Sequence, residues 1–201
     1  VGFDAKRKRR KVEIREAIAD SGVTLQPRGI VREAAEDGAL WKTFDFRRAA
    51  DKVNPLVVLG RDLEDEWKKA DQAATEQIGH LPNGMLAFAL FSNKGERQDA
   101  APDFIASDHK SGSNDRRVHV NASCIRCHAN GGLQDLDGWA RNLFQPPFAL
   151  QSPDYNTLRL LRQQYFRRLE PFLDRDRALY GEAIKEATGW TTKEWSAKYA
   201  G

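Results

Sequence analysis

The chain has 201 residues, 40% of them hydrophobic, and a formal net charge of only +3 from 32 basic and 29 acidic side chains. That is enough apolar material to bury a core. The two signs are mixed along most of the length, so no nucleic-acid-binding stripe emerges, and no run approaches the roughly 18 consecutive apolar residues of a membrane span.

Lys6-Arg7-Lys8-Arg9-Arg10-Lys11 is a block of consecutive cations near the amino end. Its plain reading is a solvated terminus; the partner it would otherwise find is an anionic membrane surface or an acidic protein. Val12-Glu13-Ile14-Arg15-Glu16 supplies no apolar stretch after it, so the block is not the start of an export signal. Ile14, Ala17 and Ile18 recur at helical spacing and predict a helix over 11–20, closed by Ser21-Gly22. Ile30, Val31, Ala34 and Ala35 predict a second helix over 29–37, with Gly38 past its end. The aromatic-rich stretch Leu40 to Phe46 reads as a strand. Val53-Asn54-Pro55 breaks it from the apolar run Leu56 to Leu59, and residues 63–74 predict a helix carrying Trp67 and Ala70.

Leu81-Pro82-Asn83-Gly84 is a turn signal, and the strand predicted over Met85 to Phe91 is apolar on both faces, which calls for a central position. After the Asn93-Lys94-Gly95 turn, residues 97–107 predict a third strand broken by Pro102, and 108–117 a polar loop. Beyond Gly131-Gly132 the pattern becomes helical. Ser152-Pro153 opens a stripe of Leu158, Leu161, Tyr165 and Leu169; Leu173 to Ala187 continues with Leu179, Tyr180 and Ile184 up to Gly189. Thr191-Thr192-Lys193-Glu194 is a capping-box pattern for a last short helix bearing Trp195 and Tyr199. Strands first and helices afterwards predict an α+β fold, with a small antiparallel sheet before residues 124–128 and helices after them. The expected organisation is a helical segment with a basic tail over 1–38, a core over 39–150 and a helical segment over 151–201 packed on it.

The stretch that names its own chemistry is Cys124-Ile125-Arg126-Cys127-His128, the attachment pattern of c-type haem. On one helical turn the two sulfurs share a face and reach the two vinyl groups of one porphyrin, while His128 becomes the proximal iron ligand. The chain has only two cysteines and four histidines, which makes the coincidence specific. A thioredoxin-type dithiol would want a preceding strand in an αβ context, and structural zinc would want a second cysteine pair. A pair of inert buried cysteines would leave His128 unexplained. The cofactor expected is one covalent haem c with its iron. Bacteria join haem to this motif outside the cytoplasmic membrane, so the motif implies a periplasmic or secreted protein whose export signal is not in this chain.

The second axial position decides between carrying electrons and doing chemistry. No Met or His follows His128, so a Met or His sixth ligand has to come from upstream. The candidates are His109, Met85, His119 and His80, with an open or water-bound iron as the alternative. Arg116, Arg117, Arg126 and Arg141 are candidate partners for the haem propionates, against the ordinary reading of exposed arginines, and Trp139 could pack on the ring edge. No Ser-His-Asp pattern, phosphate-cradling glycine loop or adjacent carboxylate pair is evident.

Taken together, Trp41-Lys42-Thr43-Phe44-Asp45-Phe46, Leu81-Pro82-Asn83-Gly84, Gly95-Glu96-Arg97, Ala101-Pro102 and Ser123-Cys124-Ile125-Arg126-Cys127-His128 resemble a series found in secreted bacterial mono-haem proteins of the planctomycete type. The resemblance spans roughly residues 39 to 132, and the chain departs from the pattern at His80 and Met85. It implies haem binding and electron transfer. The expectation is therefore a mono-haem c-type cytochrome domain exchanging single electrons with a redox partner protein, more an electron carrier than a catalyst. The alternative is a five-coordinate haem enzyme or gas-binding protein acting on nitric oxide, hydroxylamine or peroxide, which rests on fold-level analogy. A third is haem as a structural staple in an interaction module.

Overall fold

The computed structural model describes residues 14–19, 28–35, 37–46, 72–103, 105–109, 111, 114–133 and 170–200. Six strands form one antiparallel sheet in sequential order: β1 (Ile14–Ala19), β2 (Arg28–Ala35), β3 (Gly38–Phe46), β4 (Gln72–His80), β5 (Leu86–Ser92) and β6 (Arg97–Gln98). Among the described residues three helices follow, α1 (Ala122–His128), α2 (Glu170–Thr188) and α3 (Thr192–Tyr199). The fold is α+β, with the sheet before the Cys124–His128 segment and helices from that segment onward.

Two expected helices are strands instead. Residues 14–19 pair with β2 in the register Ile14↔Glu33 to Ala19↔Arg28, and β2 pairs with β3 from Gly29↔Phe44 to Ala35↔Gly38. The helical pattern over 29–37 treats Arg32 and Glu33 as an exposed polar face. In fact both are buried, along with Ile30 and Val31 on alternate faces, so the strand lies inside the structure and its charged residues are interior. β2 and β3 are neighbours in the sheet, with Ala35 paired to Gly38. The helix expected over 63–74 gives way at its end to β4, which starts at Gln72; residues 63–71, the Leu56–Leu59 run and the 153–169 stripe lie outside the described residues.

The aromatic-rich strand and the strand after Gly84 form as the patterns require. β5 lies between β4 and β6, with Phe88 and Leu90 buried on one face and Ala89 on the other. The third strand shrinks to Arg97–Gln98, because the Pro102 carbonyl accepts from the Ile105 and Ala106 amides and turns the chain. α2 runs to Thr188 before Gly189, and α3 opens on the reciprocal Thr191–Glu194 capping box that the sequence spells out.

Register puts Arg28, Ile30 and Arg32 on one sheet face with Ala39, Trp41, Thr43 and Asp45, then Glu76 and Ile78, then Phe88 and Leu90. The principal core forms on this face: Ile30, Ala39, Trp41, Ile78 and Phe88 pack with Cys124 at α1, Leu133 beyond it and Leu173 of α2. The α2 stripe of Leu173, Asp176, Tyr180, Ala183 and Ile184 includes one buried acid. Asp176 receives Arg32 Nε and Nη2 at 2.9 and 2.6 Å and Trp41 Nε1 at 2.9 Å, which ties α2 to the centre of the sheet. The Arg32 guanidinium also lies over the Trp41 and Phe172 rings, at 5.6 and 5.1 Å from their centroids.

Candidate haem attachment site

α1 is preceded by Asn121, whose φ of 69° and ψ of −56° are rare for a residue with a Cβ. The preceding turn is held by reciprocal bonds, with the Ser123 amide donating to the His119 carbonyl at 3.0 Å and the His119 amide to Ser123 Oγ at 3.1 Å. The helix thus starts immediately before the motif and carries both thiols and His128. Cys124 is buried in the principal core, whereas Cys127 is exposed.

His128 is half-buried with its ring 5.6 Å from that of Phe88. Its Nδ1 lies 3.1 Å from the Gly132 carbonyl, where it donates, and this leaves Nε2 as the nitrogen for a metal. The turn that brings this carbonyl back depends on glycine: Gly131 has φ of 91° and Gly132 of 123°, and the Gly131 amide donates to the His128 carbonyl at 2.9 Å. A Cβ at Gly131 would stand 2.7 Å from Tyr180 Cδ1, so α2 packs directly against the turn.

Beneath α1 lies a buried ionic group missed in the sequence. Arg28 grips Asp45 through Nε at 2.8 Å and Nη2 at 2.7 Å, and reaches Glu76 Oε2 through Nη1 at 2.9 Å. Glu76 Oε1 lies 3.9 Å from Cys124 Sγ. Burial, with the Glu76 charge adding to it, pushes the Cys124 thiol up to about 12. Burial also pushes the Glu76 carboxyl up, but Arg28 and His128 more than cancel this and hold it below the usual carboxylate range.

The remaining candidates divide. Arg126 is paired with the buried Asp108, and Arg117 is bound through Nε and Nη2 to Asp115 at 3.0 and 2.9 Å, so both guanidinium groups have protein partners. The Arg117 side chain and amide, helped by His119, hold the Asp115 carboxyl far below its ordinary value. Arg116 is exposed and uses its carbonyl to receive the Asp108 amide. Arg141 and Trp139 lie outside the described residues.

Among the proposed sixth ligands, His119 gives Nε2 to Asp115 at 2.9 Å. His80 accepts the Ala39 amide at Nδ1 and faces the Asp176 carbonyl through Nε2, each at 3.3 Å. Met85 follows the β4–β5 turn, where Gly84 packs against Leu179 and Ala183 of α2. His109 is exposed in the loop beside Asp108. The structure therefore brings Cys124, Cys127, His128 and Arg126 together with Asp108 and Glu76, while His80 and Met85 sit at the end of the sheet that meets α2.

The Trp41-x-x-x-Asp45 spacing was a signal for one strand face, on which Trp41 reaches Asp176 and Asp45 reaches Arg28. Nothing marked Arg28 or Glu76. Both thiols on one short helix, a proximal nitrogen left for a metal by the Gly132 carbonyl, and an exposed sulfur at Cys127 suit a covalently tethered haem. Comparison with family models, curated proteins and solved structures yields no match for the chain.

Proposed function

We propose that this chain is a mono-haem c-type cytochrome domain that passes single electrons to and from a redox partner protein. The observation that carries the reading is Cys124-x-x-Cys127-His128 on one helix, with His128 Nδ1 committed to the Gly132 carbonyl. Bound haem supplies a one-electron Fe(III)/Fe(II) couple. The chain's own residues do the rest. Cys124 and Cys127 would form the thioethers and His128 would ligate iron, its basicity raised by the Gly132 acceptor. Cys124 anchors one side of the attachment in the core, while Cys127 and the 37% exposed Ile125 keep the other side of α1 accessible to a partner. A periplasmic or secreted location is part of the proposal and rests on where this motif is matured.

Co-expression with haem maturation machinery tests the reading. The expected product is coloured, keeps its haem through acid-acetone extraction and has the mass of chain plus haem; a colourless product with the bare chain mass refutes it.

A second reading has its own support. The described side chains of His80 and His119 are engaged with protein partners, which reduces the candidate sixth ligands to His109 and Met85 and gives weight to a five-coordinate iron open to nitric oxide, hydroxylamine or peroxide. Optical spectra separate the two: sharp low-spin bands support the carrier, and high-spin features that shift with carbon monoxide support the open site.

A further inference from the structure

The sheet face under α1 holds a charge group that tethering the haem does not use. One guanidinium, Arg28, serves two carboxylates, Asp45 and Glu76, so among the described residues the group carries a surplus negative charge. The buried Arg32–Asp176 pair, by contrast, balances one charge with one. The side chains of Arg28, Asp45 and Glu76 are 11%, 5% and 13% exposed, so bulk water screens the surplus only weakly.

Glu76 divides its two oxygens. Oε2 is fixed by Arg28 at 2.9 Å, and Oε1 is turned to Cys124 Sγ at 3.9 Å. A free thiol offers that oxygen a weak S–H donor, but a thioether has no such proton. After attachment Oε1 therefore keeps its charge with one donor fewer, aimed at the sulfur that joins the ring.

Resting on the cytochrome reading, we propose that the Asp45–Arg28–Glu76 triad biases the haem couple toward the ferric form and so lowers its midpoint potential. The ferric centre carries one positive charge more than the ferrous one, and a fixed negative charge in a poorly screened interior favours the more positive state. In the step affected, one electron from the redox partner converts Fe(III) to Fe(II), with no covalent bond made or broken. Arg28 fixes both carboxylates in place, Asp45 through Nε and Nη2 at 2.8 and 2.7 Å and Glu76 through Nη1 at 2.9 Å, so the charge stays at a set distance from the attachment sulfur.

The test is redox titration of the haem-loaded chain and three variants, Glu76→Gln, Asp45→Asn and Glu76→Asp. Glu76→Gln neutralises the surplus nearest Cys124 and is expected to shift the Fe(III)/Fe(II) equilibrium on the order of tenfold toward reduction, an upward move of about 59 mV for one electron. Asp45→Asn neutralises it on the far side of Arg28 and raises the midpoint by less. Glu76→Asp keeps the charge and stays near the parent. A folded, haem-bearing Glu76→Gln with an unshifted or lower midpoint overturns the inference alone, and Asp45→Asn decides in the same way if Glu76→Gln does not fold. A parent chain that matures without haem overturns the cytochrome reading itself.

Discussion

Asp176→Ala probes the joint on which the helical layer depends. Its carboxylate receives two charge-assisted bonds from Arg32 and one from the Trp41 indole, at residues only 2%, 3% and 1% exposed respectively. Truncation leaves a buried guanidinium without its counter-charge, which costs about 3–5 kcal/mol, and an indole N–H without an acceptor, about 1–3 kcal/mol. The two losses share one acceptor, so they do not add in full, and the expected destabilisation is about 4–6 kcal/mol. Urea unfolding followed by far-ultraviolet circular dichroism measures it, with unchanged dependence on urea showing that the native state still closes. A loss below about 1 kcal/mol, the range of an exposed ion pair, would refute the assignment. The companion Arg32→Met/Asp176→Leu variant replaces both charges with apolar side chains and is expected to regain most of the loss. If it proves as unstable as Asp176→Ala, stranded charge is not the cause.

Other expectations follow from the site. In the haem-free folded chain, a thiol reagent at pH 8 should label the exposed Cys127 and spare Cys124, whose burial pushes its thiol up to about 12; equal labelling would contradict that burial, and urea should expose both. Gly131→Ala forces a Cβ into a φ of 91° and to 2.7 Å from Tyr180 Cδ1, and should cost about 1–3 kcal/mol in thermal or urea unfolding, whereas Gly189→Ala meets no atom within 4 Å and pays only for its φ of 75°. Glu76 has a folded-state value held below its unfolded one by Arg28 and His128 against burial, so its contribution to stability is present above the unfolded value near pH ~4.3 and is lost as pH falls through the folded one. Glu76→Gln should therefore flatten the acid limb of a stability-against-pH curve, and an unchanged limb would count against the ion pair. His128→Ala should leave both thioethers possible but remove the proximal nitrogen, so retained haem with an altered Soret band is expected, and an unaltered spectrum would exclude His128 as ligand.

Much of the chain was legible where one residue type has one use. The Asn83-Gly84 turn, the both-faces-apolar β5, the Thr191–Glu194 capping box and the end of α2 at Gly189 each rest on local backbone chemistry, and each formed where the pattern lies. The Cys-x-x-Cys-His spacing of residues 124–128 is local in the same way, since all three side chains stand on one short helix. β2 reads as a helix because a strand buried on both faces loses its alternation, and because Arg32 and Glu33 look like a solvated helix face when their neighbours are unknown. Glu76 lies in residues 75–80, a stretch to which the sequence pattern assigns no element, so nothing singled it out.

By itself, then, the order of residues determined the turns, the caps, the sheet-then-helix succession and the Cys-x-x-Cys-His spacing, because these depend on groups within a few positions of one another. Only the tertiary structure decided which charges are interior and what they face. Arg32 meets Asp176 across 144 positions and Arg28 meets Glu76 across 48, and no local pattern encodes such pairings. Their cause is the closing of α2 and α1 over one sheet face, which removes water from those side chains and leaves each ionised group dependent on the partner that the fold delivers.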